Sequence, residues 1–136
     1  MTPSAKRALV VDDDPIQRQI LSAFLANYGF AVLVAGNGAA ASALLREHED
    51  VDLILSDLHM PEADGIELIQ QMKKTACRVP LVVISSAAST TVKAAEILAT
   101  AHQINLIGCL PKPIDFETLA DLLELLPRHE SRSLPV

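Results

Sequence analysis

The sequence predicts an α/β fold: a five-stranded parallel sheet, doubly wound, with helices on both faces. Short apolar runs recur at Ala8 to Val11, Leu53 to Leu55, Leu81 to Ile84 and Leu106 to Leu110. The segments between them carry helical periodicity, and alternating strand and helix signals close into a parallel sheet. Each run also stops at a polar signal, in turn Asp12-Asp13-Asp14, Asp57, Ser85 and Lys112. Ligands on such sheets bind at the carboxyl ends of the strands. Acid, nucleophile, hydroxyl and cation therefore converge on one place, as a small phosphoryl-transfer centre requires.

The first strand is followed by Pro15, suited to the opening turn of a helix, and Ile16, Ile20, Phe24 and Tyr28 recur every fourth residue until Gly29 stops it. Ala31 to Ala35 reads as a short strand. Asn37 caps a second, Ala-rich helix running to His48, with Leu44 and Leu45 inward. Strand three, Leu53 to Ser56, leads through a long loop to Asp64 and Glu67, which have capping-box spacing, and Leu68, Ile69 and Met72 then face the core. Strand four begins after Pro80, a helix covers Thr90 to His102, and strand five ends at Pro111. Asp115 caps the last helix, where Leu119, Leu122, Leu123 and Leu126 make one stripe before Pro127. Residues 1–5 read as a tail, 6–126 as one domain, and 127–136 as a tail or linker stub.

At 136 residues, half of them apolar, the chain can bury an ordinary core without disulfides or a structural metal. Its two cysteines, Cys77 and Cys109, have no paired-ligand spacing, so reduced thiols are expected. The apolar stretch after Arg7 is too short for a signal peptide or a membrane span, which makes the cytoplasm the expected location and a membrane role unexpected. Net charge is -6 and the basic residues are scattered. Without a basic stripe, direct nucleic-acid binding is not expected.

Adjacent carboxylates repel one another, and burying one near a strand end is costly unless a cation compensates. Magnesium suits Asp12 and Asp13 because it takes hard oxygen ligands and binds one or two carboxylates beside a phosphate. Asp14, just before Pro15, fits the plainer role of capping the first helix. Asp57 is the candidate nucleophile: toward phosphorus, a carboxylate forms an acyl phosphate when a metal neutralises charge.

Asp57-Leu58-His59-Met60-Pro61 with Asp64-Gly65, preceded by Val11-Asp12-Asp13 and followed by Lys112-Pro113, resembles the receiver domain of two-component response regulators over about Lys6 to Leu126. The resemblance implies a flavodoxin-like strand order 2-1-3-4-5. It also implies that Asp57 accepts a phosphoryl group from a histidine kinase or phosphotransfer protein. Asp13, Asp57 and the carbonyl of His59 would bind Mg2+ directly, and Asp12 through a metal-bound water. Ser85, rather than its neighbour Ser86, would bond a phosphoryl oxygen, and Lys112 would pair with another. The Lys112-Pro113 bond is expected to be cis. The chemistry is that of a phosphoacceptor signalling domain, limited to self-phosphorylation and self-dephosphorylation.

Three departures from the family pattern stand out. Cys109 occupies the strand-five position where receivers carry Tyr or Phe, and is expected to be buried and inert. His59, two residues after Asp57, sits where a side chain hinders or assists the water that hydrolyses the acyl phosphate. Ser85 to Lys112 spans 27 positions, more than is usual. That longer stretch resembles receivers joined to EAL-type cyclic-di-GMP phosphodiesterases, and implies an output domain in a longer parent chain. The face of the helix over Thr90 to His102, strand five and the last helix is the expected switch and homodimer surface. Two alternatives compete. Asp12-x-Asp14 resembles the motif of haloacid-dehalogenase-type phosphatases, although Ile16 replaces their Thr or Val; a pseudo-receiver would bind partners without phosphorylation.

Overall fold

The computed structural model describes residues 6–57, 64–75, 77–85 and 104–126, the side chains at 64–67 and 85 excepted. In chain order the elements are β1 (Lys6–Val11), α1 (Pro15–Asn27), β2 (Phe30–Ala35), α2 (Gly38–Glu47), β3 (Leu53–Asp57), α3 (Asp64–Lys74), β4 (Leu81–Ser85), β5 (Leu106–Pro111) and α4 (Phe116–Leu123). The helix expected over Thr90 to His102, most of the EAL-like stretch, and residues His59 and Ser86 lie outside the described residues.

All strand pairs are parallel, in the order β2-β1-β3-β4-β5. Strand alternation sorts the core into two layers. From β1, Leu9 and Val11 join Ile54, Leu68, Ile69, Met72 and Val83 on the α2–α3 face. Ala8 and Val10 join Leu21, Leu25, Leu55, Ile84, Leu110 and Leu119 on the α1–α4 face. Burial on both faces explains why the strands read as continuous apolar runs rather than alternating ones.

Local signals set the helix boundaries. Asp14 Oδ1 accepts the Ile16 N–H at 2.9 Å, Asn37 Oδ1 the Ala40 N–H at 2.8 Å, and Asp115 Oδ1 the Glu117 N–H at 3.0 Å, each opening a helix as expected. Gly29, at φ +89°, takes the left-handed conformation that ends α1.

The fourfold apolar recurrence along α1 is not its buried face. Leu21 and Leu25 are the buried residues of α1, while Ile16 is 67% and Ile20 46% exposed and Tyr28 is half-exposed. Each step of four residues overshoots a full turn by about 40°. The ridge therefore winds from solvent at Ile16 toward the seam with α4, where Phe24 stacks on Tyr28 and Phe116, each pair of ring centroids 4.9 Å apart.

Cys109 is half-buried rather than buried, like Leu106, Ile107 and Gly108 beside it, because β5 is an edge strand. At Gly108 the strand approaches α4 so closely that a Cβ would lie 2.6 Å from Leu122 Cδ1. The β4–β5 register shifts there, skipping Ile107.

Candidate functional site

The strand order reverses between β1 and β3, so the crossovers diverge there and leave a crevice at the carboxyl ends. Asp12 directly follows β1, Asp57 ends β3, Ser85 ends β4 and Lys112 directly follows β5. Register places Asp57 opposite Ile84 and Ser85 opposite Pro111. Asp12, Asp13, Asp57 and Lys112 thus come together, and the backbone of Ser85 lies on the same rim. The Lys112-Pro113 peptide is cis, as expected.

Three of the four polar groups of Asp12 are tied to the protein. Its N–H donates to the Ala35 carbonyl at 3.0 Å, its carbonyl accepts from Arg18 Nη1 at 2.7 Å, and its Oδ1 accepts the Asp14 N–H at 2.9 Å. The fourth, Oδ2, is buried and has no hydrogen-bond partner among the described residues. Such an atom is costly to leave unmatched. Asp13 is exposed, whereas Asp12 and Asp57 are 1% and 2% exposed. The three carboxylates offer one oxygen each within 4.8 Å of one another.

Across the crevice, Lys112 Nζ donates to Asp57 Oδ2 at 2.7 Å. Burial pushes the Asp12 carboxyl above the usual carboxylate range, against the Asp14 N–H that favours the anion, and the charge of Asp57 adds to the rise. Burial alone would lower the Lys112 ammonium, but its hydrogen bond and charge interaction with Asp57, reinforced by Asp12 and Asp13, raise it above the usual lysine value. Acid and base thus depend on each other. An unmatched buried carboxylate oxygen within a cluster of three carboxylates fits a hard divalent cation that accepts one or two carboxylates and keeps its waters.

The model of the response regulator receiver domain matches residues 8–124. The chain belongs to the response regulator receiver family. This receiver is 38% identical over 121 residues to the transcriptional regulatory protein ZraR of Escherichia coli K12, a match covering 89% of the chain and 26% of ZraR. It superposes on a response regulator from Colwellia psychrerythraea with a TM-score of 0.77 at 31% identity, covering 90% of this chain and 97% of that one. A likeness in fold extends to TrrA of Thermotoga maritima, solved with Mg2+ and beryllofluoride, at 23% identity and a TM-score of 0.73, covering 88% and 96% of the two chains. The receiver is a two-component signalling domain, and it spans about a quarter of the length of the ZraR relatives it matches. Among the described residues, no helix is long and apolar enough to cross a membrane.

The receiver's site leaves little to the dehalogenase-like alternative, because Asp14 is exposed and engaged in capping α1. One residue escaped sequence reasoning. Arg18 holds the Asp12 carbonyl from the end of the first turn of α1, and its only sequence signal is a basic residue soon after the acidic triplet.

Proposed function

We propose that Asp57 is the phosphoacceptor of this receiver and that Mg2+ is its cofactor, held by Asp13, Asp57 and the His59 carbonyl, with Asp12 acting through a metal-bound water. One observation carries the reading: Asp57 is almost fully buried, yet it lies between a lysine 2.7 Å away and two further carboxylates. A purely structural carboxylate has no need of that company. A bound Mg2+ supplies charge neutralisation for the carboxylates and the phosphoryl oxygens. An Asp57 oxygen forms the new O–P bond as the P–N bond of a donor phosphohistidine breaks, and the freed imidazole keeps its nitrogen lone pair. Lys112 leaves Asp57 for a phosphoryl oxygen, and the Ser85 hydroxyl bonds another.

Residues 6–126 make up the receiver, and an output domain in a longer parent chain reads its state through the face of the segment Thr90 to His102, β5 and α4, which also suits a homodimer. The phosphodonor is a histidine kinase or phosphotransfer protein. Ile16 and Ile20, exposed in the first and second turns of α1 after the acidic triplet, give that donor an apolar place to dock.

With Mg2+ and a small phosphodonor such as acetyl phosphate, intact mass should show one added phosphoryl group. Asp57→Asn or excess chelator should abolish it, and full labelling in either case would refute the reading. Ile16→Asp should slow transfer from the protein donor at least tenfold while leaving labelling by acetyl phosphate unchanged. Equal slowing with both donors would remove α1 as the docking face.

A further inference from the structure

Arg18 stands apart from the phosphoacceptor chemistry, yet its guanidinium reaches the end of β1. Its Nη1 donates to the Asp12 carbonyl at 2.7 Å. The same nitrogen passes over the loop between β2 and α2, where a Cβ on Gly36 would lie 3.3 Å from it. The Asp12 N–H is already fixed by Ala35, the residue before Gly36. The peptide groups on both sides of the Asp12 Cα are therefore clamped, one by the β2 end and the other by Arg18.

Clamping the backbone aims the side chain. With Oδ1 taken by the Asp14 N–H, rotation of the Asp12 carboxylate is also restricted, and Oδ2 is left as its one buried oxygen without a partner among the described residues. The Asp12–Asp13 peptide begins at the carbonyl that Arg18 holds, so the start of Asp13 is fixed along with Asp12. Arg18 reaches Asp12 through the main-chain carbonyl it binds, and so acts on the geometry of the site.

We infer that Arg18 is a positioning residue for the divalent-cation site, and that Gly36 is glycine in order to let the guanidinium pass. The inference rests on the Mg2+ reading of the acidic cluster. Groups that orient metal-binding carboxylates typically account for about 10–100-fold in affinity. Gly36 has no left-handed backbone to protect, so Gly36→Ala changes only the space in front of Arg18.

Calorimetric titration of the metal-free protein with Mg2+ tests this in wild type, Arg18→Met, Arg18→Lys, Gly36→Ala and the Arg18→Met/Gly36→Ala double variant. Met keeps most of the stem and removes the donor. Its dissociation constant for Mg2+ should rise about tenfold, and Lys, with one suitable donor, should recover part of that loss. Gly36→Ala should weaken binding in the same sense but less, and the double variant should bind no more weakly than Arg18→Met alone, because both changes break one contact. A purely structural Arg18 would lower urea stability in the absence of metal and leave the Mg2+ affinity of the folded protein unchanged. Arg18→Met binding within twofold of wild type overturns the positioning role, and additive losses in the double variant overturn the role of Gly36. Should Arg18→Met fail to fold, Gly36→Ala decides: unchanged affinity there refutes the inference. No Mg2+ binding by wild type would instead overturn the metal reading on which it rests.

Discussion

Replacing Lys112 by Ala is expected to destabilise the metal-free receiver by about 2 kcal/mol. Asp57 keeps its burial when the ammonium 2.7 Å away is lost, and the neighbouring carboxylates of Asp12 and Asp13 have its own sign. Removing one partner of a fully buried pair costs about 3–5 kcal/mol. The smaller figure applies here because the Lys112 side chain is 27% exposed, so water already screens part of the interaction. Saturating Mg2+ should restore most of the loss, since the three carboxylates remain and a cation replaces the missing charge. Beryllofluoride, a phosphoryl mimic, should no longer raise the melting temperature, because the group meant to leave Asp57 for the phosphoryl oxygen is absent. Thermal unfolding in urea with and without each ligand checks this. An undiminished beryllofluoride shift would show that Lys112 has no part in sensing the phosphoryl group.

Asp12→Asn should have the opposite effect on the metal-free protein, raising stability by about 1 kcal/mol near neutral pH. The substitution removes a buried charge that burial and Asp57 both disfavour. On the proposed Mg2+ reading it should also cancel the wild-type response to the ion, which would be about 2.7 kcal/mol at a hundredfold excess over the dissociation constant. The pH dependence follows from the raised carboxyl. A group that holds its proton more tightly folded than unfolded favours the folded state below its ordinary value of 3.8, and that advantage is lost as pH rises through the folded value. Wild-type stability relative to Asp12→Asn should therefore fall with rising pH in the mildly acidic range without metal. With Mg2+ the sign should reverse, because the ion selects the anion. Lys112 acts in a separate, alkaline window: its contribution is complete below its ordinary 10.5 and disappears as pH rises through the raised folded value. A relative stability that rises with pH in metal-free acid solution would contradict the burial assigned to Asp12.

The strands themselves and the meeting of Asp12, Asp13, Asp57 and Lys112 were legible because they depend on short, local signals, an apolar run, a polar stop, a capping side chain, whereas the strand order was implied by the resemblance to receiver domains. Asp14, Asn37 and Asp115 each act within three residues of themselves, so their spacing alone identifies them. The facing of α1 was not legible. Ile16, Ile20, Phe24 and Tyr28 form a ridge as regular as that of Leu21 and Leu25, and only the position of the sheet decides which is buried. Arg18 was hidden for a related reason. Its target is a main-chain carbonyl, which has no signature in the sequence, and the space it needs is provided by Gly36, eighteen positions further on. The half-burial of Cys109 depends on β5 lying at the sheet edge, a property of the whole assembly.

The stacked rings of Phe24, Tyr28 and Phe116 have an optical consequence. The chain has no tryptophan and a single tyrosine, so Tyr28 is its only useful intrinsic fluorophore. It lies at the far end of α1, about 20 Å along the helix from the acidic triplet. Its emission should respond little to a cation arriving at Asp12, yet should change whenever the seam between α1 and α4 repacks. The unlabelled protein therefore contains its own spectroscopic gauge. A Tyr28 signal that changes with beryllofluoride but is flat with Mg2+ alone would time the passage of the phosphoryl signal from the crevice to the opposite end of the molecule.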